Sequence, residues 1–116
     1  MEESHLQMLA EGARIAGVPL VAKQLDLFRQ FMDELLLWNR RHNLVATSDP
    51  EEIVTRHILD SLATVPRLPR REGCLLDIGS GAGFPGIPLG IACPRLDVLL
   101  LEASRKKASF LKRAAG

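Results

Sequence analysis

Asp77-Ile-Gly79-Ser-Gly81-Ala-Gly83-Phe-Pro-Gly86 is the stretch whose reading decides the fold. A short continuous apolar run, Cys74-Leu-Leu-Asp-Ile78, leads into it, and a helical pattern from about Gly86 to Cys93 leads out. The run reads as a parallel strand buried on both faces, with Cys74 acting there as a small hydrophobe. Glycines are needed where φ turns positive and where a ligand must approach the main chain without meeting a Cβ. The helix start offers free N–H groups, and in open α/β sheets ligands bind at the carboxyl ends of the strands. Asp97-Val-Leu-Leu-Leu-Glu102 follows as a second buried strand, and Ala103 to Ala115 as a second helix with a basic face. Strand, helix, strand, helix is the opening of a doubly wound α/β sheet. Two parallel strands make an incomplete sheet of this type, so exposed edges that favour self-association are expected.

The chain before this unit has a different period. From Leu20 to Asn39, apolar residues fall at Leu25, Phe28, Met32, Leu35, Leu36 and Trp38, in steps dominated by three and four. That is a helix with one buried stripe, and Pro19 suits its first turn. A weaker helical pattern runs from Ser4 to Ala16 and stops near Gly17. Ser48-Asp49-Pro50-Glu51-Glu52 supplies a cap, a first-turn proline and acidic residues at the positive end of a helix dipole. The helix so started carries Ile53, Val54, His57, Ile58 and Leu62 on one side, and Pro66 and Pro69 end it. Residues 1–70 therefore form a small helical unit, and residues 71–116 begin the α/β domain.

Composition narrows the class. The 116 residues are 47% hydrophobic and 25% charged, as in a globular protein and not a disordered tail. A formal net charge of +1 argues neither for nor against a nucleic-acid partner. The two cysteines, Cys74 and Cys93, lack metal-ligand spacing. Met1–Ala10 is too acidic for a signal peptide, and no apolar run approaches the ~20 residues of a membrane span, so a cytoplasmic protein is expected.

Two nucleotide-type ligands compete for the glycine loop. Gly81-x-Gly83-x-x-Gly86 matches the dinucleotide fingerprint, with Glu102 placed to accept ribose hydroxyls, so an NAD-type oxidoreductase is one reading. Asp77-x-Gly79-x-Gly81-x-Gly83 fits S-adenosylmethionine better. It sets an acid at the strand end, beside a cationic methionyl group, where a pyrophosphate would be repelled. A third reading is a non-enzymatic module whose helical unit binds RNA with strong salt dependence.

Three blocks carry a resemblance. Leu76-Asp-Ile-Gly-Ser-Gly-Ala-Gly-Phe-Pro-Gly-Ile-Pro-Leu89 is similar to the loop of the GidB (RsmG) family. Trp38-Asn39-Arg-Arg-His-Asn43-Leu44 with Arg56-His57-Ile-Leu-Asp60-Ser61-Leu62 agrees, as does Leu101-Glu102-Ala-Ser104-Arg-Lys106-Lys107 before Phe110-Leu111. The resemblance implies a Rossmann-like methyltransferase fold and methylation of guanine N7 in 16S ribosomal RNA, with S-adenosylmethionine as donor. It implies that Gly79 and Phe84 line the methionyl and loop side of the cofactor, and the motif itself adds Asp77, Gly81 and Gly83 to the cofactor-binding set. Glu102, Ala103 and Ser104 would hold its ribose and adenine side. Asn43, Arg56, His57, Asp60 and Ser61 would form the face between the helical unit and the catalytic domain, where RNA is contacted or the loop is braced. Family members continue past residue 116, so the cofactor site is expected to be half-walled and this chain inactive alone.

Plainer readings stand beside these. Arg56 and Asp60, one turn apart, read as a helix-face ion pair, with His57 packed beside them. Arg105-Lys-Lys107 with Lys112-Arg113 reads as a solvated face. Trp38 with Arg40-Arg41-His42 reads equally as core or as a stacking and phosphate-contacting group for single-stranded RNA. Methyl transfer from a sulfonium to a ring nitrogen needs positioning more than a strong base, so neither a catalytic triad nor a metal site is expected.

Overall fold

A computed structural model describes residues 3–42, 45, 47, 49–78, 83–84 and 86–101. Helices α1 (Glu3–Ile15) and α2 (Ala22–His42) come first. A third helical rod follows in three parts: α3 (Pro50–Glu52), a π-helical stretch at Ile53–Ile58, and α4 (Leu59–Leu62). A 3₁₀ turn at Val65–Arg67 leads to strand β1 (Gly73–Ile78), helix α5 (Gly86–Ala92) and strand β2 (Leu96–Leu101). The helix expected from Ala103 to Ala115 lies outside the described residues.

The helix ends follow from identifiable caps. Gly17, at φ +84°, closes α1: its N–H bonds Arg14 O at 3.1 Å, and Val18 N–H reaches Ala13 O at 2.9 Å. This is a Schellman ending, and buried Val18 supplies its customary apolar contact. Asp49 caps α3 by accepting from Glu51 N–H, with Pro50 at the first helical position, as the sequence suggests. Pro19, in contrast, lies before α2 and not in its first turn. The start of α2 is held instead by Gln24, whose Oε1 accepts from Val21 N–H at 2.9 Å, one half of a capping box.

Inside the third rod the hydrogen-bond ladder widens, with Leu59 N–H reaching Val54 O. Thr55 Oγ1 donates to the carbonyls of Glu51 and Glu52, and Ser61 Oγ to that of His57 at 2.7 Å. Such local bonds compete with a regular helical ladder.

One buried cluster unites the helices: Leu9, Ala13, Val18, Phe28, Phe31, Met32, Leu35, Ile53, Val54, Ile58, Leu62 and Val65, joined by Leu89 and Cys93 from the α/β part. Asn39, 8% exposed, is a buried polar residue that fixes the connection after α2. Its amide donates to Thr47 O at 3.1 Å and accepts from Val45 N–H at 3.0 Å.

β1 and β2 pair in parallel without a break, from Gly73 opposite Leu96 to Ile78 opposite Leu101. α5 packs on one face, where Gly90 lies against Val98. Among the described side chains, the other face is open. Leu96 and Val98 are half-buried while Asp97 and Leu99 are exposed, the period-two alternation of a strand covered on one side. Burial on both faces is thus not what the described side chains of these strands show, and Cys74, opposite Asp97, is exposed and not a core thiol.

Candidate cofactor-binding site

The glycine loop sits at the carboxyl end of β1. Asp77 occupies the next-to-last position of that strand, opposite Leu100 of β2. Gly83 is buried with φ +98°, a conformation that strains any residue bearing a Cβ. Its carbonyl accepts from Ile87 N–H at 2.7 Å, so the turn locks directly onto α5.

Phe84, next in the chain, is the hinge between loop and helical unit. Its ring meets Phe31 of α2 edge-on, with centroids 5.5 Å apart and planes at 64°. His57 of the π-helical stretch lies on it at 5.2 Å and 34°. Both separations fall in the range where ring pairs add to simple burial. A side chain of the loop is therefore seated between two helices of the other unit.

The far end of α5 is held as well. Gln24 Nε2 donates to the carbonyls of Ile91 and Ala92 at 3.1 and 3.3 Å, partnering acceptors that a helix end leaves free. Because Gln24 meets the end of α5 and Phe31 meets the turn before it, α2 runs antiparallel to α5. Cys93, just beyond, is buried; burial pushes its thiol up, with Arg71 opposing weakly. It is a packed hydrophobe and not a nucleophile.

The residues singled out from sequence divide clearly. Gly83, Phe84 and His57 are brought together, and Ser61 stands behind His57 through its bond to that residue's carbonyl. Arg56 and Asp60 are exposed, and the expected pair between them is not formed: Arg56 Nη1 lies 3.4 Å from Glu52 Oε1, one turn in the opposite direction. A carboxylate N-terminal to a cation at i,i+4 is the better-oriented arrangement, which decides that choice. Trp38 packs half-buried against the core and donates to Glu34 Oε1 at 2.9 Å. Gly79, Gly81, Glu102, Ala103, Ser104 and Asn43 lie outside the described residues. Sequence reasoning misses Phe31 and Gln24, because a phenylalanine in a helical stripe and a glutamine at a helix start carry no sign of their distant partners. Among the described residues no group of His, Cys, Asp or Glu is arranged to hold a metal ion, and no helix is long and apolar enough to cross a membrane.

A glycine turn at positive φ after a parallel strand, a helix that continues it and a second strand returning alongside define an α/β protein, here braced by helices. The chain belongs to the GidB family, described as rRNA small subunit methyltransferase G, whose model matches residues 24–116. It is 50% identical over 107 residues to the ribosomal RNA small subunit methyltransferase G of Syntrophus aciditrophicus, covering 91% of this chain and 44% of that protein. The proteins of the same name from Methylobacillus flagellatus and Stutzerimonas stutzeri are 46% and 43% identical, over 93% and 96% of this chain and 52% of each relative. The chain thus spans about half the length of the curated relatives it matches. All are named as methyltransferases, which does not favour the dinucleotide oxidoreductase reading.

Proposed function

We propose that this chain carries the cofactor loop of an S-adenosylmethionine-dependent enzyme that methylates guanine N7 in 16S ribosomal RNA, within a Rossmann-like methyltransferase fold. The observation that carries the reading is the Gly83–Phe84 turn after β1, with Gly83 buried at a φ open only to glycine and Phe84 seated against His57 and Phe31. Membership in the GidB family, and the names of the relatives, supply the substrate class.

In this reading Asp77, Gly79, Gly81, Gly83 and Phe84 bind the methionyl side of the donor, and Glu102, Ala103 and Ser104 its ribose and adenine. The bare main chain of the glycine turn permits close approach, and Phe84 gives the loop an apolar wall. Asn43, Arg56, His57, Asp60 and Ser61 belong to the RNA-facing or bracing side, with His57 and Ser61 bracing. When bound, S-adenosylmethionine would supply an already activated methyl group, the S–C bond breaking as the bond to N7 forms. Because N7 has a free lone pair, the residues orient the two partners and need not remove a proton. Holding reactants in line is a large part of such a barrier, on the order of several kcal/mol.

The test is transfer of labelled methyl from S-adenosylmethionine to small ribosomal subunits lacking the modification, using this chain and a full-length relative. Label on guanine N7 of 16S RNA supports the reading, with Gly83→Val reducing it at least about 100-fold. Label on protein or on another base contradicts it.

A further inference from the structure

Most of the described arginines fall into two sets. Arg14, Arg29 and Arg56 each hold a carboxylate on their own helix, namely Glu11, Asp26 and Glu52. Arg67, Arg70, Arg71 and Arg95 are all exposed, and none has an ion-pair partner among the described residues.

Strand pairing sets Arg71 and Arg95 at one end of the sheet, and Arg67 and Arg70 precede Arg71 in the same connection. Arg67 closes the 3₁₀ turn, Arg70 and Arg71 lie in the connection to β1, and Arg95 is the last residue before β2. Since Gly73 pairs with Leu96, the two chain segments enter the sheet side by side, about 5 Å apart. The field of Arg71 reaches Cys93, two residues before Arg95. Glu72 and Asp97 are the carboxylates of the same neighbourhood, and neither forms an ion pair with these arginines among the described residues. These segments lie at the amino end of the strands. The glycine loop lies at the carboxyl end, roughly 17 Å away along a six-residue strand.

Four cations on these adjoining segments, with no ion-pair partner among the described residues, repel one another, and a chain whose net charge is only +1 has no general excess of basic residues to explain them. All four are arginine, whose planar fork binds phosphate with two parallel hydrogen bonds and is weakly hydrated. We propose that Arg67, Arg70, Arg71 and Arg95 form an auxiliary binding surface for the phosphate backbone of RNA, remote from the methyl-transfer site. The inference rests on the reading of RNA as substrate. It adds that the substrate is gripped at both ends of the sheet, with the cofactor loop at one end and this phosphate anchor at the other. Phosphate contacts carry no base information, so this surface sets affinity and orientation while the choice of base is made elsewhere.

The experiment is fluorescence-monitored binding of the full chain to a labelled 16S ribosomal RNA transcript from about 50 to about 200 mM salt, a range over which phosphate contacts are resolved. Changing all four arginines to Gln lowers the slope of log affinity against log salt by about 3, since each neutralised phosphate on a single strand contributes roughly 0.7. Changing all four to Lys keeps most of the slope. Arg14→Gln with Arg29→Gln, which removes two arginines already paired, leaves it unchanged. The melting temperature of every variant stays near that of the parent, since the side chains are exposed. An unchanged slope in the fourfold Gln variant overturns the phosphate surface while leaving the RNA reading in place. No binding by the parent chain overturns both.

Discussion

The helical unit and the two-stranded sheet bury their apolar residues to very different degrees. Leu9, Phe28, Met32, Leu35, Ile53, Val54, Ile58 and Leu62 are wholly withdrawn from solvent. In the sheet, Leu75, Leu96 and Val98 are only half-buried, and Leu99 is 55% exposed. One region is a closed core made by three helices around a shared stripe. The other is a platform, covered by α5 on one face and open on the other among the described side chains. The candidate site lies where they meet, so the loop takes its rigidity from the helical unit and its position from the sheet. Phe84 against His57 and Phe31 supplies the first join, and Gln24 on the end of α5 the second.

The sharpest way to break this comparison is one large-to-small change in each region. Phe28→Ala should destabilise the chain by about 3–5 kcal/mol, the usual cost of emptying a fully buried aromatic site. Leu99→Ala should cost about 0.5 kcal/mol or less, since its side chain is already largely in water. Urea denaturation of the two variants checks both. Comparable losses would mean that the sheet's open face is packed in solution.

A middle-sized effect probes the join. Gln24→Ala removes the bond at the start of α2 and both bonds to the end of α5. With a net value of about 0.5–1.5 kcal/mol for each good bond, and the two contacts of the one Nε2 donor counted as a single bond, a loss of about 1–3 kcal/mol is expected. Amide exchange should rise at Cys93 and Leu96, next to the freed carbonyls, more than at Phe28 or Met32. Uniform acceleration would indicate that the two regions open as one.

The smallest effect concerns exposed charge. Hydrogen bonds from Arg14 hold the Glu11 carboxyl below its ordinary value, and those from Arg29 and then Gln30 do the same for Asp26. A lowered folded-state value means that the folded chain binds fewer protons. Whatever stability these groups give is therefore present at neutral pH and drains away as pH falls through and below the carboxylate range. Both pairs are in water, so Glu11→Gln and Asp26→Asn should barely move a melting temperature at pH 7. A drop of several degrees would show that the helix surface carries more of the fold than its core.

Much of this architecture is legible in the residues themselves. The stripes at Leu25–Phe28–Met32–Leu35 and at Ile53–Val54–Ile58–Leu62 predict their helices because three- and four-residue spacing suits little else. Gly17 and Asp49-Pro50 mark a helix end and a helix start through rules of backbone chemistry that act within a few residues. The glycine loop declares a turn at a strand end for the same local reason. What sequence reasoning misreads depends on partners distant along the chain or on a choice that the apolar pattern does not register. Pro19 suits a first turn, yet Gln24 claims Val21 and sets the start of α2 three residues later. Cys74 looks like a core thiol because its neighbours are apolar, but its face of the sheet is uncovered. The π-helical stretch leaves no mark on an apolar pattern that also fits a regular helix. Seating Phe84 between His57 and Phe31 needs residues from three segments, and no single window of sequence contains them.

The central claim is that the turn at Gly83 is a working methyl-donor site. Calorimetric titration of this chain with S-adenosylhomocysteine, with NAD in a parallel cell, addresses it most directly. Heat is expected from the methyl-donor product alone, abolished by Gly81→Val and by Gly83→Val, while Arg67→Gln leaves it unchanged. Binding of NAD in preference to S-adenosylhomocysteine, or binding that survives both glycine substitutions, would contradict it.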